Sequence, residues 1–140
     1  MILFGWCTMA TELEALVRLL LAILLGGIIG YEREIVHKPA GVRTHMLVAL
    51  GSTLFTLASL YGFPGSDPAR IASYIVAGVG FIGGGVIIQS RDRVIGITTA
   101  ASLWTTAAVG VTVGTGLYLL SILGVVLCVI ILRLVKKVGG

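Results

Sequence analysis

The chain has 140 residues, 57% of them hydrophobic and 11% charged, whereas an ordinary soluble domain carries about a quarter of charged residues. A mean hydropathy of +1.09 leaves a membrane-embedded bundle as the class that fits. The net charge of +4 and pI near 9.4 do not point to nucleic acid, because the cations sit at the ends of apolar runs instead of forming one patch.

Five apolar runs follow one another: Leu13 to Tyr31, His45 to Gly62, Ile71 to Ile88, Ile97 to Val113 and Leu117 to Leu132. Each is about 16 to 19 residues, or roughly 24 to 29 Å as helix, enough for the hydrocarbon core. Lipid hydrates no backbone, so each is expected to be helical. The expected fold is all-α, a polytopic bundle of five transmembrane helices forming a single domain over residues 1–140.

Basic residues in short loops mark the cytoplasmic side. Arg33, Lys38 and Arg43 lie between the first two runs, Arg91 and Arg93 between the third and fourth, and Arg133, Lys136 and Lys137 after the fifth. The other side has Arg70 beside a Pro/Gly turn and, between the fourth and fifth runs, only Gly114-Thr115-Gly116. This sorting predicts an N-terminus outside and a cytoplasmic C-terminus, with the cations available to anionic membrane lipid. Met1 to Ala10 lacks a charged signal-peptide n-region, so the first helix is expected to be retained, with Ile2, Leu3, Phe4 and Trp6 in the outer interface. In this topology Cys7 and Cys128 lie near opposite faces and cannot bridge within one chain.

Thr11-Glu12-Leu13-Glu14 reads as a capping box opening the first helix, and Glu14 stands four residues before Arg18. Arg18 lies more than a turn inside the apolar run, where a cation costs roughly 2.5 to 3.5 kcal/mol unless it pairs or snorkels. It is either a snorkelling residue tied to Glu14 or a charge facing the bundle that joins helices or senses a partner. Gly26 and Gly30 form a small-xxx-small face for close helix packing.

Glu32, Arg33 and Glu34 end the first helix; after Lys38-Pro39-Ala40-Gly41, Arg43 and His45 begin the second. Carboxylates at the base of a helix beside this many cations point to an electrostatic cluster of Glu32, Arg33, Glu34, Arg43 and His45. It is either a local clasp or a contact to a partner or cation.

The third run contains Gly78, Gly80, Gly83, Gly84 and Gly85, a density that costs helix propensity and calls for close packing or a deliberate break. Gly80 and Gly84 share one face. In the fourth run Thr98, Ser102 and Thr105 fall on one stripe, with Thr99 and Thr106 beside it, placing Thr98 and Ser102 among the expected packing residues. The fifth run is nearly all Leu, Ile and Val and reads as a lipid-facing outer helix.

Four ordered blocks resemble the membrane domain of the MgtC/SapB family. They are Arg18-Leu19-Leu20 with Gly30-Tyr31-Glu32-Arg33-Glu34, then Ala40-Gly41-Val42-Arg43-Thr44-His45-Met46-Leu47-Val48. Gly78 to Ile87 and Gly96 to Trp104 complete them. The resemblance implies a small inner-membrane protein of five helices linked to growth under magnesium limitation. It also implies either regulation of another membrane complex, the ATP synthase among them, or transport. Longer members carry a cytosolic ACT-like domain, and this chain is expected to be a short member without it.

A non-enzymatic regulator or scaffold, working as a homo-oligomer or with another membrane complex, fits the abundance of small residues on helix faces. A magnesium or other cation transporter would want oxygen ligands along a path, yet Glu12, Glu14, Glu32, Glu34, Asp67 and Asp92 all lie at span ends or in loops. An enzyme fits least, since HExxH, GxSxG and a phosphate-binding loop are missing from the sequence, and no cofactor is expected.

Overall fold

A computed structural model describes residues 2–63, 65, 67–90 and 93–134, with side chains described from residue 12 onward. Arg91, Asp92, Lys136, Lys137 and the side chains of Cys7 and Arg93 lie outside the described residues. Five helices run α1 Ile2–Ile35, α2 Val42–Tyr61, α3 Ala69–Gly85, α4 Ile97–Gly114 and α5 Tyr118–Leu134, and a short hairpin, β1 Ile88–Ser90 with β2 Arg93–Ile95, separates α3 from α4. Glu12–Ile35, Val42–Tyr61 and Ile97–Gly114 are long and apolar enough to cross a membrane; α3 and α5 are shorter apolar helices of 17 residues each.

α1 runs unbroken through Thr11, so the expected capping box does not open it. No proline occurs before Pro39 to interrupt the helix. It ends in a Schellman turn: Lys38 N–H donates to the Arg33 carbonyl at 3.0 Å and His37 N–H to that of Glu34 at 2.9 Å. His37 takes the left-handed conformation, with φ 53, that glycine usually supplies. Glu34 then reaches across the turn and accepts the Val42 N–H at 2.8 Å, covering a donor at the start of α2.

α2 is polar on the inside and apolar on the outside. His45, Ser52, Thr53, Thr56 and Ser59 are buried, while Leu47, Leu54, Phe55 and Leu60 are exposed. A water-soluble helix would reverse that arrangement; here the solvent outside the bundle is lipid.

Glycine sets how closely the helices approach. A Cβ on Gly30 would lie 2.6 Å from the Val42 Cα, and one on Gly26 would lie 2.7 Å from the His45 carbonyl oxygen, so α1 and α2 touch backbone to backbone. On the other side of α2, a Cβ on Gly110 would come 2.5 Å from the Ala49 carbonyl oxygen, and one on Gly114 2.7 Å from the Thr56 Cβ. Thr53 spans this second seam, its hydroxyl shared between the carbonyls of Ala49 at 2.9 Å and Gly110 at 2.8 Å. α4 is therefore the central helix, packed against each of the other four. α5 closes the bundle against α4 and α1 through Ser121, Val125, Cys128 and Leu132.

α3 packs mainly on α4, through Ile75 and Val79 against Ala107 and through Gly83 against Ala100, and less on α2. It stops at Gly85, three residues before the expected end. Helix propensity is weak at Gly83-Gly84-Gly85, and the β-branched residues that follow pair instead, Ile88 opposite Ile95 and Gln89 opposite Val94. Gly96 closes the hairpin at φ +100, where any Cβ would strike the Val86 carbonyl. The fold is thus the expected all-α one of five helices, with a small β hairpin between α3 and α4 that was not expected.

Candidate functional site: a buried charge cluster

At the α1–α2 turn end of the bundle, Arg33 Nε donates to Glu32 Oε2 at 2.5 Å, and both side chains are 4% exposed. Neighbouring residues on a helix project about 100° apart, so they meet only because both lean into the interior. Burying an ion pair costs desolvation that its attraction offsets only when the geometry is close. His45 on α2 packs on α1 one turn before the pair, where a Cβ on Gly30 would lie 3.0 Å from the His45 Cβ, and Cys128 on α5 is buried in one core cluster with Ile29. α2 and α5 therefore both pack beside this end of α1.

His45 is fully buried. Its Nδ1 faces the Gly41 carbonyl at 3.0 Å and its Nε2 faces Ser102 Oγ on α4 at 3.2 Å. A carbonyl only accepts, so this network assigns a proton to Nδ1. The Ser102 hydroxyl, 2.8 Å from the Thr99 carbonyl, either donates there or turns to donate to Nε2. The ring thus ties α2 to α4 while keeping one movable hydrogen.

Beside the pair is a recess of about 250 Å³ lined by Glu32, Ile35, Val36 and Arg133. Arg133 is exposed and has no ion-pair partner among the described residues. Of the residues expected to form the cluster, the fold gathers Glu32, Arg33 and His45. Glu34 is exposed and engaged in capping α2, and Arg43 is exposed in the first turn of α2. Cys128, Arg133 and Ser102 were missed as members, because α4 and α5 are remote in sequence.

At the opposite end, Arg18 is 7% exposed and faces the bundle. It pairs with Glu14, donates from Nη1 to the Gly114 carbonyl at 2.6 Å, and from Nε to the Tyr118 hydroxyl at 3.1 Å. Both expectations for it meet here, the Glu14 pair and the joining of helices.

Of the packing residues, Gly26 and Gly30 lie in the α1–α2 seam, and Ser102 lies under His45. Thr98 does not pack. It is exposed, and the buried hydroxyls of α4 are Thr99, Ser102 and Thr106, a stripe turned by one residue from the expected one. Around Gly80 and Gly84 an added Cβ would meet nothing within 4 Å.

A profile of the MgtC family matches residues 19–140. The chain belongs to the MgtC family. Among its relatives, YhiD of Escherichia coli K12, whose name carries a provisional magnesium-transporter assignment, is 45% identical over 128 residues, covering 86% of this chain and 60% of YhiD. Protein MgtC of Brucella abortus is 49% identical over 96 residues, covering 69% of this chain and 40% of its own length. Protein SrpB of Synechococcus elongatus is 43% identical over 121 residues, covering 76% and 66%. The chain thus spans little more than half of YhiD and less than half of the Brucella protein. No solved structure matches. The matched region contains the whole buried cluster, while Glu14 and Arg18 lie just ahead of it.

Proposed function

We propose that this MgtC-family chain is a non-enzymatic, multi-pass protein of the cell inner membrane that serves magnesium homeostasis by docking on another membrane complex or on copies of itself. Its five helices cross the bilayer with the N-terminus outside, which puts the Glu32–Arg33 cluster and the α1–α2 turn on the cytoplasmic side. The link to magnesium rests on the name of the relative YhiD and on the resemblance described above.

The observation that carries the docking reading is the outward face of α3. Ser73, Ala77, Gly80 and Gly84 recur along one stripe and are exposed. Each interior glycine costs a helix roughly 1 kcal/mol relative to alanine, and within this chain Gly80 and Gly84 gain no neighbour in exchange. A second helix lying on that stripe would supply the missing contacts. The α1–α2–α4 seams argue against an ion path through one chain, since backbone approaches backbone there and leaves no room for a partly hydrated divalent cation.

The alternative is a magnesium or other cation transporter working as an oligomer, favoured by the name of YhiD. Purified protein in liposomes discriminates the two. Magnesium flux from the chain alone overturns the regulator reading, and silence combined with a stoichiometric membrane partner recovered from native membranes supports it.

A further inference from the structure

Between α2 and α3, on the side of α3 away from the glycine stripe, runs an apolar groove of about 750 Å³. Its walls extend from Thr44 to Phe55 on α2 and from Ile71 to Ile82 on α3, and apart from Thr44, Ser52 and Tyr74 they are apolar. Eleven residue steps of helix make each wall about 16 Å long, close to half of a hydrocarbon core of roughly 30 Å. The groove is therefore as long as one leaflet is deep.

Its length and its end select the occupant. An extended hydrocarbon chain lies along walls of this length within one leaflet. The end carries charge. Arg43 adjoins Thr44, the first residue of the α2 wall; it is exposed and has no ion-pair partner among the described residues, and Lys38 is exposed in the turn just before it.

We propose that the α2–α3 groove holds an acyl chain of an anionic phospholipid from the leaflet on the α1–α2 turn side, with the Arg43 guanidinium donating to its phosphate oxygens. Lipid is the solvent of these helices, so the groove is filled from it at no cost in searching. The guanidinium fork matches a phosphate and fixes the headgroup over the mouth of the groove. The bound chain would then act as a filler between α3 and α2, which meet less closely than α3 and α4 do.

Gly51 and Gly78 make the test clean, because a Cβ at either position meets nothing within 4 Å and a larger side chain there enters the groove without disturbing the helix seams. The full chain is reconstituted in vesicles of mixed phosphatidylglycerol and phosphatidylcholine, extracted in mild detergent and weighed by native mass spectrometry. Wild type should keep a stoichiometric phospholipid, enriched in phosphatidylglycerol. Gly78→Phe and Gly51→Leu should lose it, Arg43→Gln should lose the headgroup preference by about fivefold, and Gly84→Leu on the far face should keep both. Retention of the lipid in Gly78→Phe, equal loss in Gly84→Leu, or wild type carrying none would overturn the proposal. A fall in assembly mass on Gly78→Phe with lipid unchanged would give the groove to a second chain and overturn it too.

Discussion

Arg18 on α1 donates to the carbonyl of Gly114, the last residue of α4, across a bond of 2.6 Å between buried groups. A helix leaves its final carbonyls without intrahelical partners and concentrates negative charge there, so a guanidinium at that point satisfies a lone pair and the dipole together. The cation placed inside an apolar run is therefore a clamp between the first helix and the α4–α5 turn. Arg18→Met should cost about 2 kcal/mol, the scale of a buried hydrogen bond to a charged group, and lower the Tm in detergent. Glu14→Gln should cost less than about 1 kcal/mol, because Glu14 is half exposed and its share of the pair is screened. Equal losses in the two variants would show that the Gly114 bond contributes nothing.

The Glu32–Arg33 pair calls for a double-mutant cycle. Removing either partner leaves an uncompensated buried charge, and Glu32→Gln or Arg33→Met alone should destabilise by about 3–5 kcal/mol. The double variant should recover much of that loss, since no charge is then stranded. The cycle also separates stability from role. If the cluster carries the activity, the double variant folds yet fails to support growth in magnesium-starved cells. Full growth with the double variant would reduce the pair to a structural clasp.

Five helices and the glycine contacts of Gly26 and Gly30 were legible in the sequence because apolar length and small-xxx-small spacing are one-dimensional signals. The phase of α4 was not. Its sequence is apolar or hydroxylated all round, so a periodicity of 3.6 locates stripes without saying which one faces inward, and Thr99, not Thr98, turned out to be buried. The hairpin was hidden for a related reason: Ile87, Ile88, Val94 and Ile95 suit a membrane span and a strand equally well, and only the glycine run before them tips the balance. The cluster was half legible. Glu32 and Arg33 stand together in the chain, but Cys128 and Arg133 reach them only through the packing of α5 on α1.

The proposed sidedness rests on the charge count and can be read by thiol labelling. Against a Cys7→Ser, Cys128→Ser background, Lys38→Cys and Gly65→Cys sit in the turns at opposite ends of α2, both exposed. Lys38→Cys should be labelled by a membrane-impermeant reagent only in inside-out vesicles, and Gly65→Cys only in right-side-out cells. Labelling of both from one side would remove α2 from the list of crossings.

The glycines themselves provide the sharpest contrast, because the same substitution should change sign along the chain. Gly30→Ala drives a Cβ to 2.6 Å from the Val42 Cα, a backbone atom that cannot yield without parting α1 from α2, and should destabilise by about 1–3 kcal/mol. Gly84→Ala meets open space and should stabilise the isolated chain by up to about 1 kcal/mol through helix propensity alone. If α3 docks on another helix, that gain comes with a loss: Gly84→Leu, larger still, should lower the mass of the assembly in lipid or release the co-purified partner while leaving the monomer folded. An unchanged mass and an unchanged partner in Gly84→Leu, with Gly80→Leu behaving the same way, would show that the stripe faces lipid only. The glycine density of α3 would then have to be explained by the break at Gly85 that starts the hairpin.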